Sequence, residues 1–374
     1  MIVMVVTKSL GGQMPIKNLL MLTTGGTLAG NVAGKSEKRN DEEISVEEQI
    51  YVTVKPTLKA IKKEWNTDIQ IHHYPVDNID SSDILPIHWV KISKTIKEKY
   101  DEYDAFIVTH GTNTMGYTCS ALVFALENIN KPVVVTGSQI PFGEPGSDAL
   151  LNLDNAIRVA VYPVHEIKGI VCVFGSHIIS GARTKKSTEF DYDAFQSFST
   201  ASLGRIGRII DANKENIDRH NSYLNKHSPL AFTSNKIELK NTFDMRIASI
   251  TEFPGMSTNI IETLSEKNKG IVFRSFGAGD VSTNLHNAFE KLKEQKIPIV
   301  VTTQAPNGYS NFRVNEPGEQ LLKKELAIPA YDMSIEAMTI KLSWMLGQNW
   351  DYNKICTEMT EDYHGEIHKR TENK

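Results

Sequence analysis

Three segments carry the side chains best suited to nucleophilic and acid–base chemistry. In TTGGTLAG, two glycines after a strand-like run allow a tight turn that leaves the Thr27 hydroxyl projecting as a candidate nucleophile. In VTHGTNTMGYT, Thr112 stands where a helical pattern begins, and the N-terminus of a helix stabilises a developing anion. In GARTKKST, Lys186 becomes a general base if burial lowers its pKa. We predict that the hydroxyls of Thr27 and Thr112, which follow two different strands, converge on one crevice.

The same segments also have simpler interpretations. The glycine turn could be an ordinary strand-end turn, whereas a nucleotide-binding loop is not supported because neither GxGxxG nor GxxxxGK[ST] occurs there. By spacing alone, Thr112 is a helix cap and His110 is a hydrogen-bonded loop histidine. Lys185 and Lys186 are exposed lysines by default. The segment DSSD, at Asp80–Asp83, either grips the carboxylate and ammonium of an amino acid or caps the helix in PIHWV.

Length and composition restrict the class of protein. At about 150 residues per domain, 374 residues suggest two domains. Apolar residues make up 40% and charged residues 23% of the chain, which is ordinary for a folded, soluble protein. The 41 basic and 45 acidic residues give a net charge of −4, so no global field favours nucleic acid or an anionic membrane. We therefore expect a small-molecule partner.

The cysteines and the first residues indicate the compartment. No CxxC or other ligand spacing connects Cys119, Cys172 and Cys356, so neither a disulfide framework nor a zinc site is indicated. The opening MIVMVVTKSL is too short for a signal core or a membrane span. We therefore expect a cytoplasmic protein. Met14 is a second candidate start, which would make the first 13 residues an extension with no role in the fold.

Short apolar runs rich in β-branched residues predict buried parallel strands. They are NLLMLTTGG (18–26), YDAFIVTHG (103–111), KPVVVTGSQ (131–139) and KGIVCVFGS (168–176). Helical patterns such as 87–100 and 118–129 lie between them and are long enough for crossovers. This alternation predicts an α/β fold with a doubly wound, mainly parallel sheet. Ligands in such folds bind outside the carboxyl ends of the strands, where TTGGT, THGTNT and TGSQ fall.

A second, smaller α/β domain is predicted after a polar connection that is partly formed into short strands. Strand-like runs recur at 245–253, 269–277 and 297–304, and a last helical pattern covers 334–348. The predicted organisation is an extension at 1–16, a catalytic domain at 17–212, a connection at 213–245, the smaller domain at 246–350 and a charged, solvated tail at 351–374.

Taken together, the motifs resemble those of the type I bacterial asparaginase family. TGGT, DSSD, HGTxTMxYT, KPVVVTGSQIP, SDxxxNLxNA and RTxK occur in the order of the family and at roughly its spacing. RSFGAGD, TTQ and DMSIEA are similar to the corresponding strand ends of the C-terminal half. The likeness extends from about residue 17 to 350. Such a series is far more specific than any single motif.

The resemblance implies hydrolysis of the side-chain amide of asparagine, or of a related amide, without a metal or organic cofactor. Thr27 would attack the amide carbon to give an acyl-enzyme, and Thr112 with Lys186 would move protons and activate water. The step in which each threonine acts stays open. Family members assemble as dimers or tetramers with active sites between protomers, so the resemblance also implies a homodimer or homotetramer.

The substrate-binding residues include one departure from the family. By resemblance, the substrate α-carboxylate and α-ammonium would be held by Asp80, Ser81, Ser82, Thr112 and Asn113. The family has aspartate at the position of Asn113, and that carboxylate orients the lysine and pairs with the substrate ammonium. Burying an ammonium without its partner costs several kcal/mol. Free asparagine should therefore bind or react less well here.

Two further departures concern activation and regulation. The family places a tyrosine on a mobile lid shortly after TGGT, whereas this chain has no tyrosine before Tyr51. By resemblance, Thr27 thus lacks its usual activator, unless Tyr51 or a residue from elsewhere replaces it. Arg274 lies where the family can carry an effector site, but Lys185 replaces the small polar residue usual beside the catalytic lysine.

Three functions compete. The favoured one is an amidohydrolase, tuned to an amide whose α-amino group is acylated or absent, because Asn113 donates a hydrogen bond but carries no charge. The second is a homologue that binds an amino acid without hydrolysing it and acts as a sensor or scaffold. The third is the ammonia-producing component of a tRNA-dependent amidotransferase. That component carries an additional N-terminal barrel domain, for which the 16 residues before the first strand leave no room.

Overall fold

The structure is a computed structural model that describes residues 14–25, 38–39, 42–43, 46–224 and 236–369. The strands in these ranges are β1 (Ile16–Thr23), β2 (Lys38–Arg39), β3 (Glu42–Glu43), β4 (Asp68–Pro75), β5 (Ala105–Thr109), β6 (Leu126–Glu127), β7 (Pro132–Thr136), β8 (Gly169–Phe174), β9 (His177–Ser180), β10 (Thr184–Lys186), β11 (Phe195–Ser197), β12 (Gly204–Ile206), β13 (Ile210–Ala212), β14 (Glu238–Leu239), β15 (Ile247–Thr251), β16 (Gly270–Ser275), β17 (Ile299–Thr303) and β18 (Ile328–Pro329). The α-helices are α1 (Val46–Trp65), α2 (Pro86–Glu98), α3 (Met115–Ala125), α4 (Ala149–Ala160), α5 (Lys214–Tyr223), α6 (Thr258–Ser265), α7 (His286–Glu294), α8 (Glu316–Lys323), α9 (Ile335–Gly347) and α10 (Tyr352–Glu358).

The N-terminal domain is built on an eight-stranded sheet in the order β13-β12-β9-β8-β7-β5-β1-β4. Strands β4, β1, β5, β7 and β8 are parallel, and β9, β12 and β13 continue the sheet antiparallel. The four strands predicted from apolar runs are β1, β5, β7 and β8. The prediction of a doubly wound, mainly parallel sheet is confirmed.

Both faces of this sheet are buried, which explains the continuous apolar runs. Along β1, Leu19 and Met21 join the core on the side of α1 and α4. Leu20 and Leu22 join the opposite core, which is covered by α2 and α3. Successive side chains of a strand point to opposite faces, so one apolar run supplies both cores.

The second domain holds four parallel strands in the order β15-β16-β17-β18. Helices α6 and α7 cover one face of its sheet, and α9 contributes to the core on the other face. This second core also includes residues of α3, since the rings of Phe124 and Trp344 stack with centroids 5.5 Å apart. The two domains therefore share one apolar core. Among the helices of the described residues, none has the length and apolar character needed to cross a bilayer.

Two stretches differ from the sequence-based expectation. The connection at 213–245 is predicted to have weak periodicity and to be partly formed into short strands, yet it also contains α5, which begins with the Asn213 side chain accepting a hydrogen bond from Asn216 N. Its buried residues are Asn216, Ile217 and His220. A segment of polar composition therefore still forms a helix that packs against the protein. Residues 351–369, expected as a solvated tail, form α10 and then fold back onto both domains.

The returning segment lies against two buried ion pairs, and Glu366 of the second pair belongs to the segment itself. Arg183 Nη1 lies 3.1 Å from Asp332 Oδ2, and its Nε donates to Gly365 O at 2.6 Å. Lys341 Nζ donates to Glu366 Oε1 at 2.7 Å, and both side chains are 0% exposed. Burial by itself raises the pKa of Glu366, but the charges of Lys341 and His364 and their hydrogen bonds outweigh it and hold the pKa at about 2. The stabilisation is therefore present above the ordinary value of 4.5 and is lost as pH falls toward 2.

We expect Lys341→Met to lower the free energy of unfolding by about 3–5 kcal/mol, because it leaves the Glu366 carboxylate buried without its counter-charge. Denaturant unfolding at neutral pH measures the change. The control is Lys369→Met, which removes an exposed ion pair with Glu361 at 3.3 Å and should cost no more than about 1 kcal/mol. Equal losses in the two variants would contradict a special role for the buried pair.

Candidate active site

The winding of the large sheet reverses between β1 and β5. From β1, the chain adds β4 on one side and then β5, β7 and β8 on the other. The loops leaving the carboxyl ends of β1 and β5 therefore diverge and open a crevice. Thr24 closes its floor, because its Oγ1 donates to Thr109 O at 3.0 Å and its own carbonyl accepts from Ile79 N at 2.9 Å. Gly25 follows with φ +102°, and a Cβ there would lie 2.4 Å from Ile79 N.

A buried chain of hydrogen bonds fixes the loop after β5. Trp89 Nε1 on α2 donates to Thr118 Oγ1 at 3.0 Å, and Thr118 Oγ1 lies 2.8 Å from His110 Nε2. His110 Nδ1 lies 2.6 Å from Gly111 O, which can only accept, so Nδ1 carries the proton. Burial lowers the pKa of His110 to about 4, which keeps the ring neutral. His110 is therefore the hydrogen-bonded loop histidine expected from the sequence.

Gly111 brings the loop after β5 into contact with the DSSD segment. A Cβ on Gly111 would lie 2.6 Å from Ser81 Oγ, so only glycine allows this approach. Ser81 is buried, and its hydroxyl accepts from Asn113 N at 3.3 Å while its carbonyl accepts from Thr114 Oγ1 at 2.6 Å. Thr112, predicted at a helix N-terminus, begins a 3-10 turn over Thr112–Thr114 that leads directly into α3.

Lys186 reaches this loop from a separate hairpin. Strand β10 pairs antiparallel with β11 and places Lys186 opposite Phe195, which is fully buried. Lys186 Nζ donates to Thr112 Oγ1 at 2.8 Å and to Asn113 Oδ1 at 3.2 Å. Burial lowers the pKa of Lys186, and the charge of Glu189 opposes part of that shift. A lysine amine that loses its proton more readily can accept one from the hydroxyl it contacts.

Asn113 connects the lysine with the DSSD segment. Its Oδ1 accepts from Lys186, and its Nδ2 donates to Ser82 Oγ at 3.0 Å. Asn113 thus satisfies both neighbours through hydrogen bonds and contributes no negative charge. The structure brings Thr112, Asn113, Lys186, Ser81 and Ser82 together.

Asp80 is exposed at the rim of this cluster. Its Oδ1 accepts from Ser82 N at 2.7 Å, and this hydrogen bond lowers the pKa of its carboxyl group. Asp80 therefore caps the 3-10 turn Ser81–Asp83 rather than α2, the helix of PIHWV. Helix α2 starts after Leu85, whose N–H donates to His88 Nδ1 at 2.9 Å. The capping interpretation is thus correct for a turn but wrong for that helix.

The two adjacent lysines have different partners. Lys185 Nζ donates to Glu336 Oε1 at 2.9 Å, on the first turn of α9. Glu336 Oε2 is buried and has no hydrogen-bond partner among the described residues. Both lysines therefore have side-chain partners, whereas a lysine is by default exposed and freely solvated.

Two other predicted residues are not part of this cluster as described. Thr27 lies outside the described residues, and Tyr51 lies on α1 with about half of its surface exposed, 51%.

Sequence inspection missed the residues that support the loop from behind. Trp89 and Thr118 support His110 only because α2 packs against α3. The two residues are 29 positions apart in the sequence, and no local pattern connects them. Gln139 was also missed as a supporting residue. Its Nε2 donates to Glu189 O at 2.7 Å and so ties the TGSQ loop to the segment that follows Lys186.

We expect Gly111→Ala to lower the free energy of unfolding by about 1–3 kcal/mol, since its Cβ would press on the buried Ser81 side chain. Thermal or denaturant unfolding measures this. Gly207→Ala is the matched control, because no atom lies within 4 Å of its added Cβ, and its effect should stay within about 0.5 kcal/mol. A Gly111→Ala protein as stable as this control would show that the two segments do not need their close approach.

Comparison with known proteins identifies the family. Residues 18–218 match the family "Asparaginase, N-terminal", and residues 246–359 match "Glutaminase/Asparaginase C-terminal domain". The chain is 32% identical to L-asparaginase 1 of Escherichia coli K12 over 362 residues, covering 94% of this chain and 98% of that protein. It is 29% identical to a component of the glutamyl-tRNA(Gln) amidotransferase of Pyrococcus abyssi, covering 95% and 78% of the two chains. The thermostable L-asparaginase from Thermococcus kodakarensis superimposes with a TM-score of 0.77 at 30% identity, covering 94% and 100%. The chain therefore belongs to the asparaginase family, as its series of motifs predicts.

Proposed function

We propose that this protein hydrolyses a side-chain amide to a carboxylate and ammonia through threonine nucleophilic catalysis. The observation that carries the proposal is the 2.8 Å contact between Lys186 Nζ and Thr112 Oγ1, made by a lysine whose pKa is lowered by burial. A hydroxyl and a base within hydrogen-bond reach are the minimum requirement for such chemistry. By resemblance to the family, we take the second threonine, Thr27, as the proposed nucleophile.

In the proposed reaction, the Thr27 hydroxyl attacks the amide carbon as its proton is transferred through Thr112 toward neutral Lys186. The tetrahedral intermediate expels ammonia, and the proton returns to the departing nitrogen, which leaves a threonyl ester. Water then attacks this ester, its proton passes to Lys186 and on to the threonine oxygen, and the carboxylate is released. The N-terminal turn before α3 supplies backbone N–H groups near the developing oxyanion.

Asn113 determines the proposed substrate class. Its two amide ends are directed at Lys186 and Ser82, and neither end offers a charge to a substrate ammonium. Asp80 of the DSSD segment is exposed, and its carboxylate accepts a hydrogen bond from Ser82 N. We therefore favour an amide whose α-amino group is acylated or absent over free asparagine.

The remaining parts of the proposal follow the family resemblance. We propose a cytoplasmic homodimer or homotetramer without a metal or organic cofactor. Light scattering coupled to size-exclusion chromatography measures the assembly, and a monomer at micromolar concentration would reject this part. The similarity to an amidotransferase component raises a second candidate, an ammonia-supplying role. Ammonia release from free small amides by the isolated chain would favour the hydrolase.

Activity should be measured as ammonia release from asparagine, glutamine and their N-acyl analogues. We expect turnover of at least one amide, and a loss of at least about a hundredfold in Lys186→Met or Thr112→Val, because proton transfer contributes about 10²–10⁴-fold. Lys94→Met, an exposed lysine change on α2, is the control and should retain full activity. Ligand binding by calorimetry with no ammonia release from any amide would instead identify a sensor or scaffold.

Asn113→Asp should raise the turnover of free asparagine by about ten- to a hundredfold, since a charged hydrogen bond contributes about 1.5–3 kcal/mol. The new carboxylate near Lys186 would also favour the charged amine and raise the lysine pKa. Because the base acts when deprotonated, the acidic limb of the pH–rate profile should move to higher pH. A lower or unchanged rate at every pH would show that the missing carboxylate does not limit asparagine use.

A further inference from the structure

A cavity of about 250 Å³ lies apart from the Thr112 and Lys186 cluster. Its walls come from the end of β9, the loop at 199–203, α5 and the returning C-terminal segment. The lining residues are Ser180, Arg183, Ser199, Thr200, Ala201, Leu203, Asn216, Arg219, His220, Tyr223, His364, Gly365, Ile367 and His368. None of the predicted catalytic or substrate-binding residues is among them.

The lining has an unusual charge composition. Two arginines and three histidines face the cavity, and no aspartate or glutamate of the described chain lines it. The chain as a whole carries a net charge of −4, so this basic surface is a local feature. A guanidinium is the preferred protein partner of carboxylate and phosphate groups because its N–H donors match their geometry.

The two arginines differ in how they are held. Arg183 is buried and fixed by Asp332 and by the carbonyl oxygen of Gly365, so it forms a rigid part of the wall. Arg219 is exposed, and its Nη2 donates to Asn216 Oδ1. A guanidinium has five N–H donors, and in the described residues no other acceptor contacts that of Arg219. Within the described part of the chain, its remaining donors are therefore open to a ligand.

The histidines add donors and acceptors rather than fixed charge. Burial lowers the pKa of His220, and its Nε2 must donate to Lys168 O at 2.8 Å, so the ring is neutral. His368 is exposed at the opposite wall, and its backbone N–H donates to Asp332 Oδ1 at 2.7 Å. Its ring makes no hydrogen bond within the described ranges.

We propose that this cavity binds a small oxyanion without a cationic group, such as a dicarboxylate or phosphate. The volume is below the roughly 300 Å³ at which pockets for drug-sized ligands begin, which fits a molecule of metabolite size. The carboxylates that contact the lining, Asp332 and Asp362, already bind Arg183 and Tyr223, so no carboxylate of the lining itself is left to pair with the ammonium of a ligand. The site thus selects against free amino acids and does not rest on the proposed amidohydrolase activity.

Calorimetry on the full chain tests the proposal with inorganic phosphate, succinate and L-aspartate as probes. We expect saturable, submillimolar binding of phosphate or succinate and weaker binding of L-aspartate. Arg219→Gln combined with His368→Gln should weaken that binding by at least about tenfold, because it removes a charge-assisted contact. Arg313→Gln, an exposed arginine change in the smaller domain, should leave it unchanged.

Lys186→Met separates this cavity from the reaction centre. Binding of the anions should persist in that variant and be lost in the Arg219 and His368 variant. Absence of saturable binding by both phosphate and succinate would overturn the proposal. So would an equal loss in the Arg313→Gln control, which would indicate a general charge effect, or a loss in Lys186→Met, which would place the anion in the active site.

Discussion

The reversal of winding between β1 and β5 is the constraint on which the rest of the site depends. Parallel neighbours normally pass their loops to the same side, and only where the direction changes do two loops part and leave a crevice. The backbone at both strand ends must then approach its neighbours closely. Thr24 and Gly25 do so at the end of β1, and Gly111 does so at the end of β5. Ser81 fills the remaining gap, so a short DSSD turn becomes part of the same wall.

Much of this arrangement could be predicted from the sequence. Apolar β-branched runs identified β1, β5, β7 and β8, because strands buried on both faces cannot alternate with polar residues. Their order on the chain then placed Thr112 at a strand end. The likeness of the motifs to a known family selected Lys186 from among many lysines. Local patterns were sufficient wherever a strand or a helix can be predicted from its own residues alone.

Other features depend on contacts between distant elements, which no local pattern records. Helix α5 is polar in composition and owes its position to burial of Ile217 and His220. The buried pair of Lys341 and Glu366 looks like two ordinary surface charges in the sequence. The neutral state of His110 likewise depends on its burial by surrounding elements, which lowers its pKa.

Asn113 shows how one uncharged side chain changes the electrostatics of a whole site. A carboxylate at this position would stabilise the protonated form of Lys186, whereas the amide leaves burial as the dominant influence on the lysine pKa. Under the proposed function, the same exchange would remove the partner of a substrate ammonium. The two effects would oppose each other, since a more readily deprotonated lysine would be gained as affinity for a zwitterion was lost.

The buried contacts of Arg183 also have a consequence for synthesis of the chain. A ribosome completes the large sheet before Asp332 and Gly365 exist, so the Arg183 guanidinium has neither partner while the N-terminal domain emerges. A buried cation without its partner is strongly unfavourable, so the guanidinium stays in water until those partners have been made. The contacts of Arg183 are therefore completed only after the residues that follow α9 have been synthesised.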